Sequence, residues 1–547
     1  MQADSPAGRN ARTSLFGPLT LARGAALALL ACLWLAMLGA RSLAGPDEGR
    51  YATLSLGMLQ SGDWIVPRLN GLLYFEKPPL QYWAGAAAMA LFGVDEFAAR
   101  LWPGLSGLFC VACLAFTAAR LRGRETGWHA LAAGGSTTWI VVNSQFLSLD
   151  AGLTAALTLA LCALLLAEQA GQVRSRRRWM LLAWLGVALA VLSKGLIGIV
   201  IPAAALLLRA AWERDCGFWR GLEWRRGLAV LLLVAAPWFV VVSWREPAFA
   251  RFFFVHEHVE RFLTPVHRRE GAWWSFVPVL LVGFLPWTAA LPALLRPRDR
   301  AERLMLAWAG FVFVFFSASS SKLPSYILPM FPPLVLLLAP RLQAAGARRL
   351  ARWLAVAALA WLALLAATPF AARWTSAQTP AAVIEPLARG LGAAALVFLV
   401  GALVAALALR RGARAGAVAA MAVAHLLALF VALAAHDPFG QLKSSDALAR
   451  LVPPDTPVFA VGEYDQTLPF YLRRDVTLVA IVDEFDLGER LEPARWIPTL
   501  EGFVERWRQM PRAAAYLSRD TLAALRRRGV DGRVVFTDPR RIVIVKP

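Results

Sequence analysis

Long apolar runs separated by short charged connections occupy the first 435 residues of the chain. Runs of about 17–22 residues are long enough to cross a bilayer as α-helices. Such runs lie at 22–41, 99–120, 128–148, 150–170, 179–193, 195–211, 227–244, 275–295, 304–318, 323–340, 353–370, 389–409 and 415–435. The pattern predicts a polytopic α-helical membrane protein with about 13 transmembrane helices.

The composition agrees with this class, because 58% of the 547 residues are hydrophobic and only 17% are charged. The net charge of +21 would indicate a nucleic-acid partner in a soluble chain, but none is expected here. The arginines lie in short connections, at 120–124, 174–178, 214–226, 296–303, 341–352 and 410–414. Arginine marks cytoplasmic connections, and placing these clusters in the cytoplasm together with the N-terminus requires about 13 spans. Residues 1–41 also fit a cleavable signal, but we expect an uncleaved anchor.

The connections left on the outer side are 42–98, the turns at 150 and 194, 245–274, 319–323, 371–388 and everything after 436. They hold nearly all the unusual polar residues: Asp47, Glu76, Lys77, Asp150, Lys194, His256, Glu257, His258, Arg261, His267, Lys322 and Tyr326. Charged groups beside a membrane are costly and mark functional sites. The pattern therefore predicts one outward-facing site that handles a charged substrate.

The long first loop, 42–98, is the most informative of these segments. Asp47 and Glu48 either cap a helix that starts near Arg50 or face a pocket as a base or as partners of a cation. Residues 51–60 are compatible with a short helix lying at the membrane interface. In FEKPP, the prolines fix an extended backbone. They present Glu76 and Lys77 either to a phosphate or as an internal ion pair.

The later turns carry fewer polar residues, and each has a structural alternative. Asp150 is either an N-cap or a substrate contact, and Lys194 either snorkels or meets a phosphate. In HEHVER, His258 could bind a divalent metal with Glu76, although two ligands do not make a site. Tyr326 of SSSKLPSY is either an interfacial anchor or part of the site.

After residue 436 the chain changes character. Short β-rich runs at 457–461, 476–482, 534–537 and 542–545 alternate with helical patterns near 499–510 and 519–528. This alternation predicts two domains: a transmembrane domain, 1–439, and a small α/β domain, 440–547. No glycine-rich phosphate loop opens its helices. We expect the second domain to cover or shape the site.

Six segments in a fixed order resemble a known family: PDEGRY, SGDWIVPRLNGLLYFEKPPLQYW, SLDAGLT, LSKGLIG, FFFVHEHVERF and SKLPSYILP. Together they are similar to the ArnT-type lipid A aminoarabinose transferases, within the protein mannosyltransferase-like membrane glycosyltransferases. The resemblance covers most of residues 20–335. It implies a GT-C-like fold with 13 spans and a C-terminal periplasmic α/β domain.

The resemblance also implies an activity. The enzyme would move a sugar, 4-amino-4-deoxy-L-arabinose, from undecaprenyl phosphate to a phosphate of lipid A. Transfer would take place at the periplasmic face of the bacterial inner membrane. It implies catalytic roles for Asp47, Lys77 and Asp150, and substrate binding by Arg50, Tyr51, Tyr74, Lys194, Arg261 and Tyr326. It further implies a zinc site formed by Glu76 and His258, and no nucleotide cofactor. The chain departs from the family pattern at Gly49, where a proline is more usual, and at the additional His256.

Two other functions stay open. A related transferase would use another sugar, or would act on proteins or another envelope lipid. A sugar-lipid transporter would also explain the spans, but it predicts ionisable residues in helix centres and internal repeats, which the sequence lacks.

Overall fold

The computed structural model of the chain describes residues 21–254, 271–481 and 483–546. The histidine-rich segment singled out in the sequence lies outside these ranges. The predictions made for Arg261 and His258, and the additional residues His256, Glu257 and His267, therefore lie outside the described residues.

A bundle of long helices forms the first part of the chain. Its helices are Leu21–Ala36, Glu96–Arg122, Arg124–Ser136, Thr138–Ser144, Leu149–Gln169, Val173–Lys194, Ile197–Glu213, Trp224–Arg245, Phe276–Gly283, Leu291–Leu294, Arg300–Ala318, Phe331–Ala344, Ala347–Ala367, Ala381–Arg410 and Arg414–Ala435. Within the described ranges, nine helical segments are long and apolar enough to cross a membrane. A pair bent by 107°, Phe276–Gly283 with Thr288–Leu294, gives a tenth. The prediction of a polytopic helical membrane protein is confirmed.

Three predicted spans fall on helices that are broken, charged or short, which explains why the count of thirteen is not reached by length and hydropathy. The predicted span 128–148 is interrupted at Thr137, between two helices. Val173–Lys194 begins with an arginine-rich turn, and Ile197–Glu213 has only 17 residues.

Helix Leu149–Gln169 lies at the centre of the bundle, since 94% of its most apolar 18-residue stretch is buried inside the protein. This burial places the helix in the core of the bundle rather than at its lipid-facing surface. By contrast, only 28% of the most apolar 18-residue stretch of helix Ala381–Arg410 is buried. The N-terminal end of the central helix carries Asp150.

The first loop contains its own secondary structure. Helices Asp47–Ser61 and Leu80–Phe92 flank an antiparallel hairpin of β1 (Arg68–Leu69) and β2 (Leu72–Leu73). Asn70 and Gly71 form the hairpin turn, with φ of 51° and 79°. Asn-Gly is the preferred pair for such a turn, because both residues tolerate positive φ.

The short helix predicted at residues 51–60 is present. The helix starts earlier, at Asp47, and most of its side chains are buried. Leu54, Leu56 and Met58 join a hydrophobic core that also contains Leu468 from near the C-terminus. The helix is buried because another part of the protein covers it. We call Asp47–Ser61 the first-loop helix.

The C-terminal unit, residues 440–546, contains a five-stranded sheet in the order β4-β3-β5-β7-β6. The strands are β3 (Val458–Val461), β4 (Thr477–Val479), β5 (Ala514–Leu517), β6 (Arg533–Thr537) and β7 (Ile542–Val545). β3 is parallel to β4 and β5, whereas β7 is antiparallel to β5 and β6. The helices are Asp446–Ala449, Leu468–Leu472, Asp486–Leu491, Leu500–Gln509 and Arg519–Arg527.

The first loop and the C-terminal unit are held together by hydrogen bonds, an ion pair and close backbone packing. The Asn70 side chain donates to the Val476 carbonyl (2.7 Å) and accepts from the Val476 amide (2.8 Å). Arg68 donates to both carboxylate oxygens of Glu492, at 2.7 and 3.0 Å. A Cβ added at Gly49 would lie 2.4 Å from the Thr467 amide nitrogen. The two segments therefore share one core despite their distance in sequence.

Candidate functional site

The first cluster of charged side chains forms where the first-loop helix meets the C-terminal unit. Arg50 Nη1 donates to Asp47 Oδ1 at 2.5 Å, one helical turn away. Arg50 Nε donates to Glu484 Oε2 at 2.5 Å, and Gln466 Nε2 holds the other Glu484 oxygen at 2.7 Å. The side chains of Arg50 and Glu484 are 11% exposed, whereas that of Asp47 is 30% exposed. Asp47 is thus the more exposed of the two carboxylates in this cluster.

Burial governs the protonation of the groups around this cluster. It raises the pKa of the Glu484 carboxyl, while the Arg50 guanidinium acts in the opposite direction. Burial also raises the pKa of the Tyr51 and Tyr74 phenols well above their usual value, and the charges of Asp47 and Glu76, respectively, add to it. Both tyrosines are therefore neutral near pH 7 and can donate hydrogen bonds.

Glu48 has a structural role, unlike its neighbour Asp47. Its carboxylate forms a buried, bidentate pair with Arg100 at 2.7 and 2.9 Å. It also accepts from the amides of Leu147 (2.9 Å) and Ala44 (3.0 Å). Burial alone would raise the pKa of Glu48, but the Arg100 charge holds this pKa below its usual value. The contact with residue 147 brings the start of the first-loop helix to the same end of the bundle as Asp150.

The second cluster forms at the N-terminal end of the central helix. Asp150 is buried, pairs through Oδ1 with Lys194 Nζ, and accepts at Oδ2 from Ser325 Oγ at 2.7 Å. Lys194 Nζ lies 4.4 Å from the ring centroid of Tyr326, a distance typical of a cation–π contact. Ser148 is the N-cap of the helix, so Asp150 does not fill that position. Lys194 is paired within the protein and does not snorkel.

The FEKPP residues lie beside the first cluster. Lys77 Nζ donates to the carbonyl of Glu76 at 2.7 Å, and both residues are half-buried. The Glu76 carboxylate is close enough to affect the pKa of Tyr51, Tyr74 and Glu484. Among the described residues, no group of three or more histidine, cysteine, aspartate or glutamate side chains is arranged to hold a metal ion. The described residues therefore do not supply the further ligands that a zinc site at Glu76 would need.

Lys322, another candidate from the outer side, has a local structural role. Its Nζ donates to the carbonyls of Phe316 (3.1 Å) and Ser317 (2.6 Å), and also to that of Ser319. A lysine on the last carbonyls of a helix complements the helix dipole. Lys322 therefore terminates helix Arg300–Ala318.

Four residues near the clusters were not singled out from the sequence: Glu484, Gln466, Ser325 and Tyr82. Tyr82 stacks on Tyr51, with ring centroids 6.2 Å apart. Glu484 and Gln466 lie on the C-terminal unit, in the loops that follow β4 and β3. The ends of parallel strands are the usual place for ligand contacts in α/β units. That rule would have pointed to these loops, but their contact with Arg50 requires the docked fold.

A solved structure decides the family. The crystal structure of ArnT from Cupriavidus metallidurans bound to undecaprenyl phosphate superposes with a TM-score of 0.92 and 35% sequence identity. The match covers 96% of this chain and 98% of that one. The chain belongs to the ArnT family. The apo structure of the same ArnT gives a TM-score of 0.91.

Two family models match separate parts of this ArnT-family chain. The dolichyl-phosphate-mannose-protein mannosyltransferase model matches residues 20–253, and the aminoarabinose transferase C-terminal domain model matches residues 445–546. The second match coincides with the C-terminal unit, and the first contains the first loop, Asp150 and Lys194.

Curated relatives are similar over part of their length. The undecaprenyl phosphate-alpha-4-amino-4-deoxy-L-arabinose arabinosyl transferase of Edwardsiella ictaluri is 35% identical over 324 residues, 58% of each chain. The protein of the same name from Pseudomonas aeruginosa is 38% identical over 301 residues, 54% of each chain. The matched region thus spans just over half the length of these relatives.

Proposed function

We propose that the chain is a glycosyltransferase that moves 4-amino-4-deoxy-L-arabinose from undecaprenyl phosphate to a phosphate of lipid A. The observation that carries this proposal is the match, over nearly the full chain, to an ArnT structure with bound undecaprenyl phosphate. The names of the curated relatives support the sugar. The two clusters at one end of the bundle supply the cations and carboxylates that this chemistry requires.

The proposed setting is the bacterial inner membrane, with 13 spans, a GT-C-like transmembrane domain at 1–439 and a periplasmic α/β domain at 440–547. The arginine clusters in alternate connections support this sidedness. The hydrogen bond from the Leu147 amide to Glu48 supports a common face for the two clusters. Both would therefore face the periplasm.

In the proposed mechanism, an oxygen of the lipid A phosphate attacks the anomeric carbon of the sugar. The bond from that carbon to the undecaprenyl phosphate oxygen breaks, and the electron pair leaves with the undecaprenyl phosphate. Lys77 and Lys194 stabilise the charge on this leaving group, an effect that is large in a site with little water. Arg261 is proposed to assist them.

Asp47 is proposed to orient the acceptor or to stabilise positive charge on the sugar. An acceptor phosphate is already ionised near pH 7, so strong base catalysis is not required. Arg50 fixes the Asp47 carboxylate at 2.5 Å. Tyr51 and Tyr74 would donate hydrogen bonds to the substrate from their neutral phenols, and Tyr326 would hold Lys194 in place. Zinc held by Glu76 and His258 stays a hypothesis and has no step in this mechanism.

Mass spectrometry of lipid A from cells with and without the protein tests the function, because the added mass identifies the sugar. Asp47→Asn should abolish the addition while the protein level is retained. Asp63→Asn is the matched control, since this first-loop aspartate pairs with Arg245 away from the cluster. Wild-type rates in Asp47→Asn would eliminate the proposed role of Asp47.

A second acceptor class has one observation in its favour, the match of residues 20–253 to a protein mannosyltransferase model. Under this alternative the acceptor is a secreted protein. A sugar mass on envelope proteins, with lipid A unchanged, would favour it over lipid A transfer.

A further inference from the structure

A cleft of about 750 Å³ lies at the edge of the C-terminal sheet. Its lining includes the residues that follow three parallel strands: Gly462 after β3, Ala480 after β4 and Ser518 after β5. Ligands of α/β units bind outside the carboxyl ends of parallel strands. A volume between about 300 and 1,000 Å³ is typical of small-molecule sites. The cleft therefore has both the place and the size of a ligand site.

The lining of the cleft carries both signs of charge, since the carboxylates Glu463, Glu484 and Asp520 line it together with arginines. Arg519 and Arg540 are exposed at its rim, and Arg519 begins a nine-residue helix whose N-terminal end faces the same loops. Arginine and a helix N-terminus both favour phosphate. Inside the cleft, the rings of Tyr464 and Phe485 meet edge to face, with centroids 4.9 Å apart. The buried Tyr464 hydroxyl has no hydrogen-bond partner among the described residues.

The inner wall of the cleft belongs to the first cluster. Gln466 and Glu484 both line the cleft, and Glu484 contacts Arg50, which holds Asp47. A molecule in the cleft is thus separated from the Asp47 cluster by the Glu484 side chain. Among the described residues, the cleft is lined by the C-terminal unit and by Gln378, which lies in the loop before helix Ala381–Arg410. Such a wall suits a polar head group rather than an isoprenoid tail.

We propose that this cleft binds the phosphorylated sugar head group of the acceptor before transfer. Arg519 and Arg540 bind a phosphate at the outer rim, and the sugar lies against Tyr464 and Phe485. The second phosphate of the head group, the one that is modified, then lies on the Glu484 side of the cleft, next to the cluster in which Arg50 holds Asp47. This assignment rests on the proposed function, since it identifies where the acceptor of that reaction is held.

Binding of a water-soluble phosphorylated glucosamine disaccharide to the full-length purified protein tests the site without transfer. We expect Arg519→Ala and Arg540→Ala each to weaken this binding about tenfold, because each loses a charge-assisted contact with phosphate. Arg526→Ala is the matched control: it removes the same charge from the far end of the same helix, where Arg526 is exposed. Its binding should equal that of the wild type.

Steady-state kinetics of the transfer reaction then show whether the cleft binds the acceptor or the donor. In the rim variants, KM for the acceptor should rise about tenfold while kcat and the KM for undecaprenyl phosphate-linked sugar stay unchanged. Equal disaccharide binding in the wild type and the rim variants would overturn the site. A rise in the donor KM alone would also overturn it, because the cleft would then serve the donor. If the wild type binds the disaccharide but transfers no sugar, the proposed function fails while the binding site stands.

Discussion

Gly49 allows the C-terminal unit to dock on the first-loop helix, and adding one methyl group to it tests this docking. A Cβ at this position would lie 2.4 Å from the Thr467 nitrogen and 2.5 Å from the Gln466 carbonyl carbon. Both are backbone atoms, which cannot rotate away. Gly49→Ala should therefore push the segment at 466–467 off the helix.

The size of the effect follows from these distances. An ordinary contact starts at 3.4 Å, so the two backbones must separate by about 1 Å. The 2.5 Å contact of Arg50 with Glu484 and the 3.0 Å bond from Thr53 to the Gln466 carbonyl would then exceed hydrogen-bond length. Overpacking costs about 1–3 kcal/mol, and each lost bond about 1 kcal/mol. Alanine has a higher helix propensity than glycine, which stabilises the variant by about 1 kcal/mol. The net decrease in the free energy of unfolding is therefore about 2–4 kcal/mol.

The assay combines thermal unfolding of the purified protein with transfer activity. Gly49→Ala should lower the Tm by several degrees and reduce kcat, since Arg50 loses one of the groups that hold it. Gly57→Ala is the matched control on the same helix, because its Cβ would meet only the Arg68 carbonyl oxygen at 3.3 Å. That variant should be neutral or slightly stabilised. If Gly49→Ala behaves like Gly57→Ala, backbone contact at this position does not fix the docking.

Three further predictions concern the buried charges. Asp150→Asn leaves Lys194 without its anionic partner and should cost about 3–5 kcal/mol of stability together with most of the transfer activity, as measured by Tm and kcat. Ser325→Ala removes one hydrogen bond to Asp150 and should cost only about 1 kcal/mol by the same measurements. Glu48→Gln should lower the Tm strongly without changing substrate KM, since Glu48 pairs with Arg100 in the core. The pKa of Glu48 is lowered on folding, so the ionised carboxylate stabilises the folded protein at pH values above its unfolded pKa of about 4.3. This stabilisation is lost as the pH falls through the lower folded pKa. Acid unfolding of the wild type should show this loss, and acid unfolding of Glu48→Gln should not.

The helical bundle could be predicted from the sequence, because its spans depend on local patterns, and four residues singled out in the same way, Asp47, Arg50, Asp150 and Lys194, lie in the two clusters. Apolar length predicts spans regardless of what they pack against, and charge placement predicts sidedness. The central strand β5 was missed, since its Ala514-Ala515-Tyr516-Leu517 segment has three strong helix formers and no β-branched residue. It becomes a strand because parallel β3 and antiparallel β7 pair with it on either side.

The contribution of the C-terminal unit to the site could not be predicted, because it depends on contacts between residues that are far apart in the chain. Glu484 lies 434 positions from Arg50. Its sequence neighbourhood shows only acidic residues after a short strand, a pattern that usually marks a solvated loop. Gly49 carried a signal in the first loop, as a departure from the family pattern. The structure supplies its reason: the 466–467 backbone occupies the space that a side chain would need.

The carboxylates beside the proposed phosphate contacts have a physical purpose. A long lysine side chain has many rotamers, and ordering it when a ligand binds costs free energy. Asp150 holds the Lys194 ammonium in one position, and Ser325 fixes Asp150 in turn. A phosphate that approaches Lys194 therefore meets a charged, oriented ammonium at little reorganisation cost. By this reasoning, removing the negative charge of Asp150 weakens phosphate binding, although simple charge counting predicts the opposite.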